Sequence, residues 1–179
     1  DAIMKVVKET IKMKDELIEK LDNKDNLSEI ALYSSMDDKE LEIKAIEVGV
    51  LNTMNEDERS LVELTTYGLK GMAAYNHHAN VLGYRDKEVD RFIAHALEET
   101  TKSDKEVKSL IDLVMDTGSH GVKAMALLDK ANTESFGNPE ITEVDYSAGD
   151  KPAILISGHD LNDMKMLLEQ SKDSGVEIY

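Results

Sequence analysis

Residues 55–83 read NEDERSLVELTTYGLKGMAAYNHHANVLG, and this stretch predicts a long helix. Asn55 and Glu58 have the spacing of an N-terminal cap, in which a side-chain oxygen accepts a hydrogen bond from a backbone N–H of the first turn. Gly83 can end the helix, because glycine readily adopts the left-handed conformation that follows many last turns. The sequence therefore predicts a helix over about residues 57–82.

Helical periodicity also precedes this stretch. Residues 2–22 place apolar side chains on one stripe, which only Lys14 interrupts, with lysines and glutamates on the opposite face. Ser35 begins a sequence that resembles a capping box and predicts a short helix through Val48. Proline is absent from this whole part of the chain, since the two prolines are Pro139 and Pro152.

The helical pattern continues after residue 83. Asp86 is expected to cap the next helix, and Asp104 is expected to begin a further one that Gly118 ends. A last helix is expected over about residues 119–131. Residues 2–132 are therefore predicted to be almost entirely helical and to form an up-and-down bundle with short loops.

The pattern changes towards the end of the chain. Residues 153–157 are short, apolar and followed by Gly158, which predicts a buried strand. An amphipathic helix follows, and residues 176–179 predict a second strand, so that strand, helix and strand form the start of a parallel α/β unit. A parallel pair of strands is marginal alone, and we expect the chain to be a piece of a longer protein.

The predicted fold class is thus mainly α, with a helical bundle followed by the first strand–helix–strand of a truncated α/β domain. The predicted domains are residues 1–147, a helical bundle incomplete at its N-terminus, and residues 148–179, the start of the α/β domain.

Composition excludes several classes of function. The 37 acidic and 21 basic residues leave a net charge of −16, which disfavours nucleic acid and anionic membrane surfaces as partners. No apolar run is long enough to span a bilayer, and no signal peptide is recognisable. The chain has no cysteine, which excludes disulfides and thiolate metal sites within it. We expect a cytoplasmic location.

The five histidines are candidate metal ligands. No glutamate lies three residues before any of the five, which excludes the Glu-x-x-His pattern of a ferritin-like di-iron centre. His77 and His78 are adjacent in a helix and point about 100° apart, so they do not form a simple chelating pair. Structural roles are expected for these two and for His95 and His120.

His159 is the strongest candidate for a functional residue. It follows the predicted strand 153–157 directly, and ligands of open α/β sheets bind outside the carboxyl ends of strands. Gly158 has no side chain and would allow a ligand or cofactor to approach. The alternative is a polar residue, His159 or Asp160, that caps the following helix.

Several longer strings closely resemble the hybrid cluster protein family, also called the prismane protein or hydroxylamine reductase family. The resemblance runs in the same order over nearly the whole chain. The strings are NEDERSL at 55–61, YGLKGMAAY at 67–75, HANVLG at 78–83, MALLDKANT at 125–133, FGNPEIT at 136–142 and ILISGHDL at 154–161.

The resemblance implies an oxidoreductase that reduces hydroxylamine to ammonia and is linked to nitric oxide and nitrosative stress. It implies a conventional iron–sulfur cluster and a hybrid iron–sulfur–oxygen cluster in the intact parent, together with a redox donor as partner. Within this chain, it assigns His159 as a ligand of one hybrid-cluster iron. The other ligands would lie elsewhere in the parent, so the cysteine-free chain alone is expected to hold no cluster and to be inactive. No other catalytic residue is implied.

Two alternatives remain at this point. One is a fragment of a related nickel–iron carbon monoxide dehydrogenase, which the resemblance around residues 67–75 and 125–142 disfavours. The other is a non-enzymatic helical interaction module. The electron donor and the oligomeric state stay open.

Overall fold

The computed structural model describes residues 2–25, 27–102, 105–158 and 160–179. The mainly α prediction is confirmed, because seven α-helices dominate this part of the chain. They are α1 (Ala2–Glu19), α2 (Glu29–Leu32), α3 (Asp38–Glu47), α4 (Glu56–Val81), α5 (Lys87–Thr101), α6 (Val107–Phe136) and α7 (Leu161–Ser171), with a 3₁₀ turn at Val50–Asn52 and two short strands, β1 (Ala153–Ile154) and β2 (Glu177–Ile178).

The chain divides into two compact units. The first comprises Asp1–Thr66 and Leu97–Val114, and the second comprises Tyr67–Ala96 and Met115–Tyr179. The domain division predicted at residue 148 concerns the parent protein and stays a prediction. No helix in the described ranges is both long enough and apolar enough to cross a membrane.

In the first unit, Lys14 has a structural role that explains its place in the apolar stripe of α1. Its Nζ donates hydrogen bonds to the backbone oxygens of Ala31, at 2.8 Å, and Tyr33, at 2.6 Å. These carbonyls lie at the C-terminal end of α2, where helices leave backbone acceptors without an intrahelical donor. The lysine therefore links α1 to α2 through two hydrogen bonds, and these bonds stabilise the first unit.

The cap of α3 differs from the prediction. Asp37 is the N-cap residue, and its carboxylate accepts from the N–H groups of Lys39 and Glu40. Ser35 instead donates to the carboxylate of Glu40 at 2.6 Å and accepts from the N–H of Asp37. A carboxylate satisfies the free N–H groups of a first turn at least as well as a hydroxyl does.

The predicted ends of α4 are confirmed. Asn55 Oδ1 accepts from the N–H groups of Asp57 and Glu58, at 3.0 and 3.2 Å. Gly83 has a φ of +87°, and the backbone bonds from Gly83 N–H and from the next N–H back into the helix form a Schellman motif. Ala79, one of the acceptors in this motif, is fully buried.

The prediction of a helix break at Gly118 is wrong, because α6 continues through Gly118 and Gly121 to Phe136. Buried Thr117, Ala124 and Ala131 follow one helical face across both glycines. Burial of this face outweighs the cost of about 1 kcal/mol for each glycine in a helix interior. The helix ends before Gly137, whose φ is +88°, and Asp104 lies outside the described residues.

Strands β1 and β2 form the predicted parallel pair. Ala153 lies opposite Glu177, and Ile154 lies opposite Ile178. Helix α7 connects the strands, as predicted. The expectation of a buried strand over 153–157 is wrong for this chain, since Ala153 and Ile154 are exposed and only these two residues are in the strand. A parallel sheet is buried only when chain covers both of its faces, which two strands and one helix do not provide.

Candidate functional site

The candidate site lies in the second unit, where the chain passes from β1 to α7. His159, the ligand candidate from the sequence, lies outside the described residues, and its neighbours define the site. Ser157 and Gly158 are exposed, and Asp160 is partly buried. The site therefore follows the carboxyl end of a parallel strand, the position where ligands bind in open α/β sheets.

Gly158 has a backbone conformation that only glycine adopts without strain. Its φ is +147°, and a Cβ placed on it would meet no atom within 4 Å apart from its chain neighbours. Glycine at this position therefore allows the observed backbone conformation, and the space beside it is open.

Asp160 uses its two carboxylate oxygens for different partners. Oδ1 accepts from the backbone N–H groups of Asn162 and Asp163, at 2.9 and 3.1 Å, and so caps the first turn of α7. Oδ2 lies 3.1 Å from Nδ1 of His78 on α4. Because an ionised carboxylate only accepts hydrogen bonds, this contact favours the tautomer with the proton on Nδ1.

Two cavities border the pair of His78 and Asp160. A cleft of about 520 Å³ is lined by residues of the β1–α7 segment, among them Ser157, Gly158 and Asp163. A smaller cavity of about 200 Å³ lies against α4 and α6, where Tyr75, Leu128 and Asn132 line it. His78 and Asp160 line both cavities.

The cleft fits one side of a metal cluster and no more than that. It offers open space beside Gly158 in which a bulky group could lie. The chain contains no cysteine. In the ranges that the structure describes, no three His, Asp or Glu side chains are grouped so that they could hold a metal ion. Thiolate ligands would have to come from another part of a longer protein.

The contact of His78 with Asp160 could not be predicted from the sequence. A structural place was expected for both members of the His77–His78 pair, and His77 is exposed on α4 with its ring 5.9 Å from that of His78. The helical pattern placed His78 on α4, but no local pattern relates it to Asp160, which is far away in the sequence. Only the packing of the second unit brings the two together.

His120 lies within α6 and not beside a helix break. Its ring stacks on Phe92 with the centroids 3.8 Å apart and the planes 3° from parallel. Its Nδ1 lies 2.9 Å from the backbone oxygen of Asp116, and its Nε2 lies 3.7 Å from the carboxylate of Glu88. These contacts place His120 in the packing between α5 and α6, away from the cleft.

Comparison with known proteins identifies the family of the chain. Residues 1–179 match the Prismane/CO dehydrogenase family. A hydroxylamine reductase of Porphyromonas gingivalis is 57% identical over 135 residues, which are 75% of this chain and 24% of that protein. Hydroxylamine reductases of Bacteroides thetaiotaomicron and Acetivibrio thermocellus are 49% and 48% identical over 178 residues, which are 99% of this chain and 32% and 33% of those proteins.

The chain thus spans about a quarter to a third of the length of the curated relatives that it matches. The match to the family nevertheless runs from the first residue to the last, and the string that contains Gly158 and Asp160 falls within it. The chain therefore belongs to the Prismane/CO dehydrogenase family.

Proposed function

We propose that this chain is part of a hydroxylamine reductase, a hybrid cluster protein that reduces hydroxylamine to ammonia. The reaction consumes two electrons and two protons, NH₂OH + 2e⁻ + 2H⁺ → NH₃ + H₂O. The observation that supports the proposal most directly is the identity of about half of all residues, over almost the whole chain, with proteins named hydroxylamine reductase. A link of the parent to nitric oxide and nitrosative stress is part of the same proposal.

In this proposal, His159 is a ligand of one iron of the hybrid iron–sulfur–oxygen cluster. The open space beside Gly158 and the cleft at the end of β1 support this assignment, because they leave room for a bulky group next to residue 159. An imidazole nitrogen is a common iron ligand. The cluster supplies the redox chemistry when bound, and the second, conventional iron–sulfur cluster belongs to another part of the parent.

This chain's contribution is then to shape one wall of the site. Ser157 and Gly158, which line the cleft, directly precede the proposed ligand in the sequence, and α7 begins shortly after it. The redox donor and the remaining ligands belong to the parent. A cytoplasmic location of the parent is part of the same proposal, and fractionation of cells that produce the tagged parent would test it.

The alternative readings have less support. A nickel–iron carbon monoxide dehydrogenase belongs to the same named family, but the relatives reported above bear the name hydroxylamine reductase. A non-enzymatic interaction module would retain the helices but has no need for an open cleft beside a glycine at the end of β1.

The test uses the full-length parent, with a reduced viologen dye as electron donor and ammonia as the measured product. The wild-type parent is expected to form one ammonia per hydroxylamine consumed. His159→Ala should lower turnover at least roughly 100-fold, since loss of an outer-shell partner of a metal ligand already costs about 10–100-fold. His159→Ala should also alter the hybrid-cluster spectrum and leave the conventional cluster's spectrum intact.

The matched control is His77→Ala. His77 is an exposed histidine on α4, the helix that flanks the cleft. It should retain wild-type turnover and spectra. A wild-type parent that forms no ammonia would refute the proposed activity. A His159→Ala parent with an unchanged hybrid-cluster spectrum would refute the ligand assignment.

A further inference from the structure

We infer that, in the parent protein, a helix from outside residues 1–179 covers one face of α4 and α6. The inference rests on the proposed function only in requiring the longer parent, and its test does not measure turnover. We call this surface the glycine face. Six residues form it: Tyr67, Gly71 and Tyr75 of α4, and Gly118, Gly121 and Met125 of α6.

The glycine face begins beside a close approach of α4 and α6. There, a Cβ added at Gly68 would lie 2.8 Å from Cγ2 of Thr117, which explains within the chain why Gly68 has no side chain. Gly71 lies one turn further along α4, and Gly118 and Gly121 follow Thr117 on α6. A Cβ added at any of these three would meet no described atom within 4 Å apart from its own helix. Glycine destabilises a helix interior relative to alanine, and no contact among the described residues accounts for these three.

The side chains of the glycine face are largely apolar and exposed. Tyr67, Tyr75 and Met125 are 65%, 44% and 52% exposed. None of the six residues is charged, although 32% of all residues in the chain are. The solvent side of a helix usually carries charged residues, and an exposed apolar patch is typical of an interface.

The face continues into a part of the second unit that another helix borders. His78 follows Tyr75 by three positions, and Leu128 follows Met125 by three, and residues at this spacing share one face of a helix. Tyr75, His78 and Leu128 line the cavity of about 200 Å³ together with Leu161 at the start of α7. A helix of this chain therefore lies at one end of the face, whereas the glycines at the other end have no such neighbour among the described residues.

A helix of the parent is the occupant that these observations favour. Glycine lets the axis of a second helix come close, because the distance between packed helices depends on the side chains at the contact. The chain spans 32% and 33% of two of its relatives, so most of such a parent lies outside residues 1–179. A segment of the same polypeptide has a high effective concentration at this face, which a separate protein does not have.

The experiment uses the full-length parent, in which photo-methionine, a diazirine analogue of similar size, replaces methionine. Irradiation joins each side chain to the atoms that contact it, and mass spectrometry of the peptides identifies both partners. Met125 should crosslink to a peptide from outside residues 1–179, in a product that keeps the mass of one polypeptide on a denaturing gel. Met72, which is 2% exposed, is the internal control and should crosslink within residues 1–179.

Two variants of α6 test whether the crosslink arises on the glycine face. Gly121→Leu adds a side chain one turn from Met125 and should cause loss of the crosslink from Met125. The matched control is Ala126→Leu, at an exposed position about 100° round the helix from Met125. This control should retain the crosslink.

The inference is overturned if Met125 gives no crosslink or crosslinks only within residues 1–179, because the face is then open in the parent. A crosslink to a second copy or to another protein also overturns it. A crosslink that persists in Gly121→Leu shows that the occupant does not lie on this face; if that variant does not fold, the wild-type crosslink decides. An inactive parent that retains the crosslink would refute the proposed function and leave this inference standing.

Discussion

Gly68 and Gly71 lie three residues apart on α4, and we expect alanine to stabilise the chain at Gly71 but not at Gly68. A Cβ added at Gly68 would lie 2.8 Å from Cγ2 of Thr117 on α6, whereas a Cβ at Gly71 would meet nothing within 4 Å. Carbon atoms normally approach to about 3.5–4.0 Å. Thr117 is buried and branched at Cβ, so its methyl group can move away only by a change of χ1.

The magnitudes follow from two opposing terms. Alanine in a helix interior is about 1 kcal/mol more favourable than glycine, so Gly71→Ala should raise the free energy of unfolding by about that amount. Gly68→Ala gains the same term but incurs an overpacking cost of about 1–3 kcal/mol. Gly68→Ala should therefore be neutral or up to about 2 kcal/mol destabilising, and about 1–3 kcal/mol less stable than Gly71→Ala.

The assay is urea-induced unfolding of the chain, followed by circular dichroism, with the slope checked for constancy between variants. Thr117→Ser removes the methyl group and retains the hydroxyl, so Gly68→Ala in that background should become stabilising by about 1 kcal/mol. If Gly68→Ala stabilises the Thr117 chain as much as Gly71→Ala does, the backbones of α4 and α6 are not packed as closely as the structure indicates, and the reasoning is refuted.

Three further predictions concern capping, pH and metal content. Asp160→Ala should lower the stability of the chain by about 1 kcal/mol in a urea titration, because α7 loses its N-cap, while Asp160→Ser should stay close to the wild type. Hydrogen bonds from Lys14 and Ser34 to Asp15, and from Lys8 to Asp38, lower the pKa of each carboxyl below its usual 3.8. The contribution of these two carboxylates to stability is therefore present above about pH 4 and lost as the pH falls through the lowered pKa values. In the double variant Asp15→Asn, Asp38→Asn, the urea midpoint should fall less steeply than in the wild type between about pH 5 and 2. An equally steep fall in both proteins would contradict the linkage. Reconstitution of the chain with iron and sulfide should give no stoichiometric cluster, because it has no cysteine; several irons per chain with cluster absorbance would overturn this.

Much of the fold could be predicted from local sequence. Several features depend only on residues close together in the chain or on strict periodicity. They are the N-terminal caps at Asn55 and Asp86, the glycine that ends α4, Gly83, and the parallel pairing of β1 with β2. The mainly α class follows from the same information, since hydrophobic period and the absence of early proline are properties of the sequence itself.

Tertiary packing decided the points at which local reasoning was wrong. Gly118 resembles a helix end, yet burial of the face that contains Thr117 and Ala124 carries α6 through it. Lys14 interrupts the apolar stripe of α1, yet it donates hydrogen bonds to backbone oxygens at the end of α2. In both cases the observed structure is stabilised by contacts with parts of the chain that are distant in sequence, and a local pattern does not contain this information.

The candidate site shows the same division. The segment after β1 was predicted as a candidate site from the sequence alone, because a glycine and a histidine directly after an apolar strand form a local pattern. The contact between His78 and Asp160 depended on the tertiary structure, which brings a helix side chain to the carboxylate that caps α7. Neither residue is unusual in its own segment, and the 3.1 Å contact arises only when α4 and the β1–α7 segment pack within one unit.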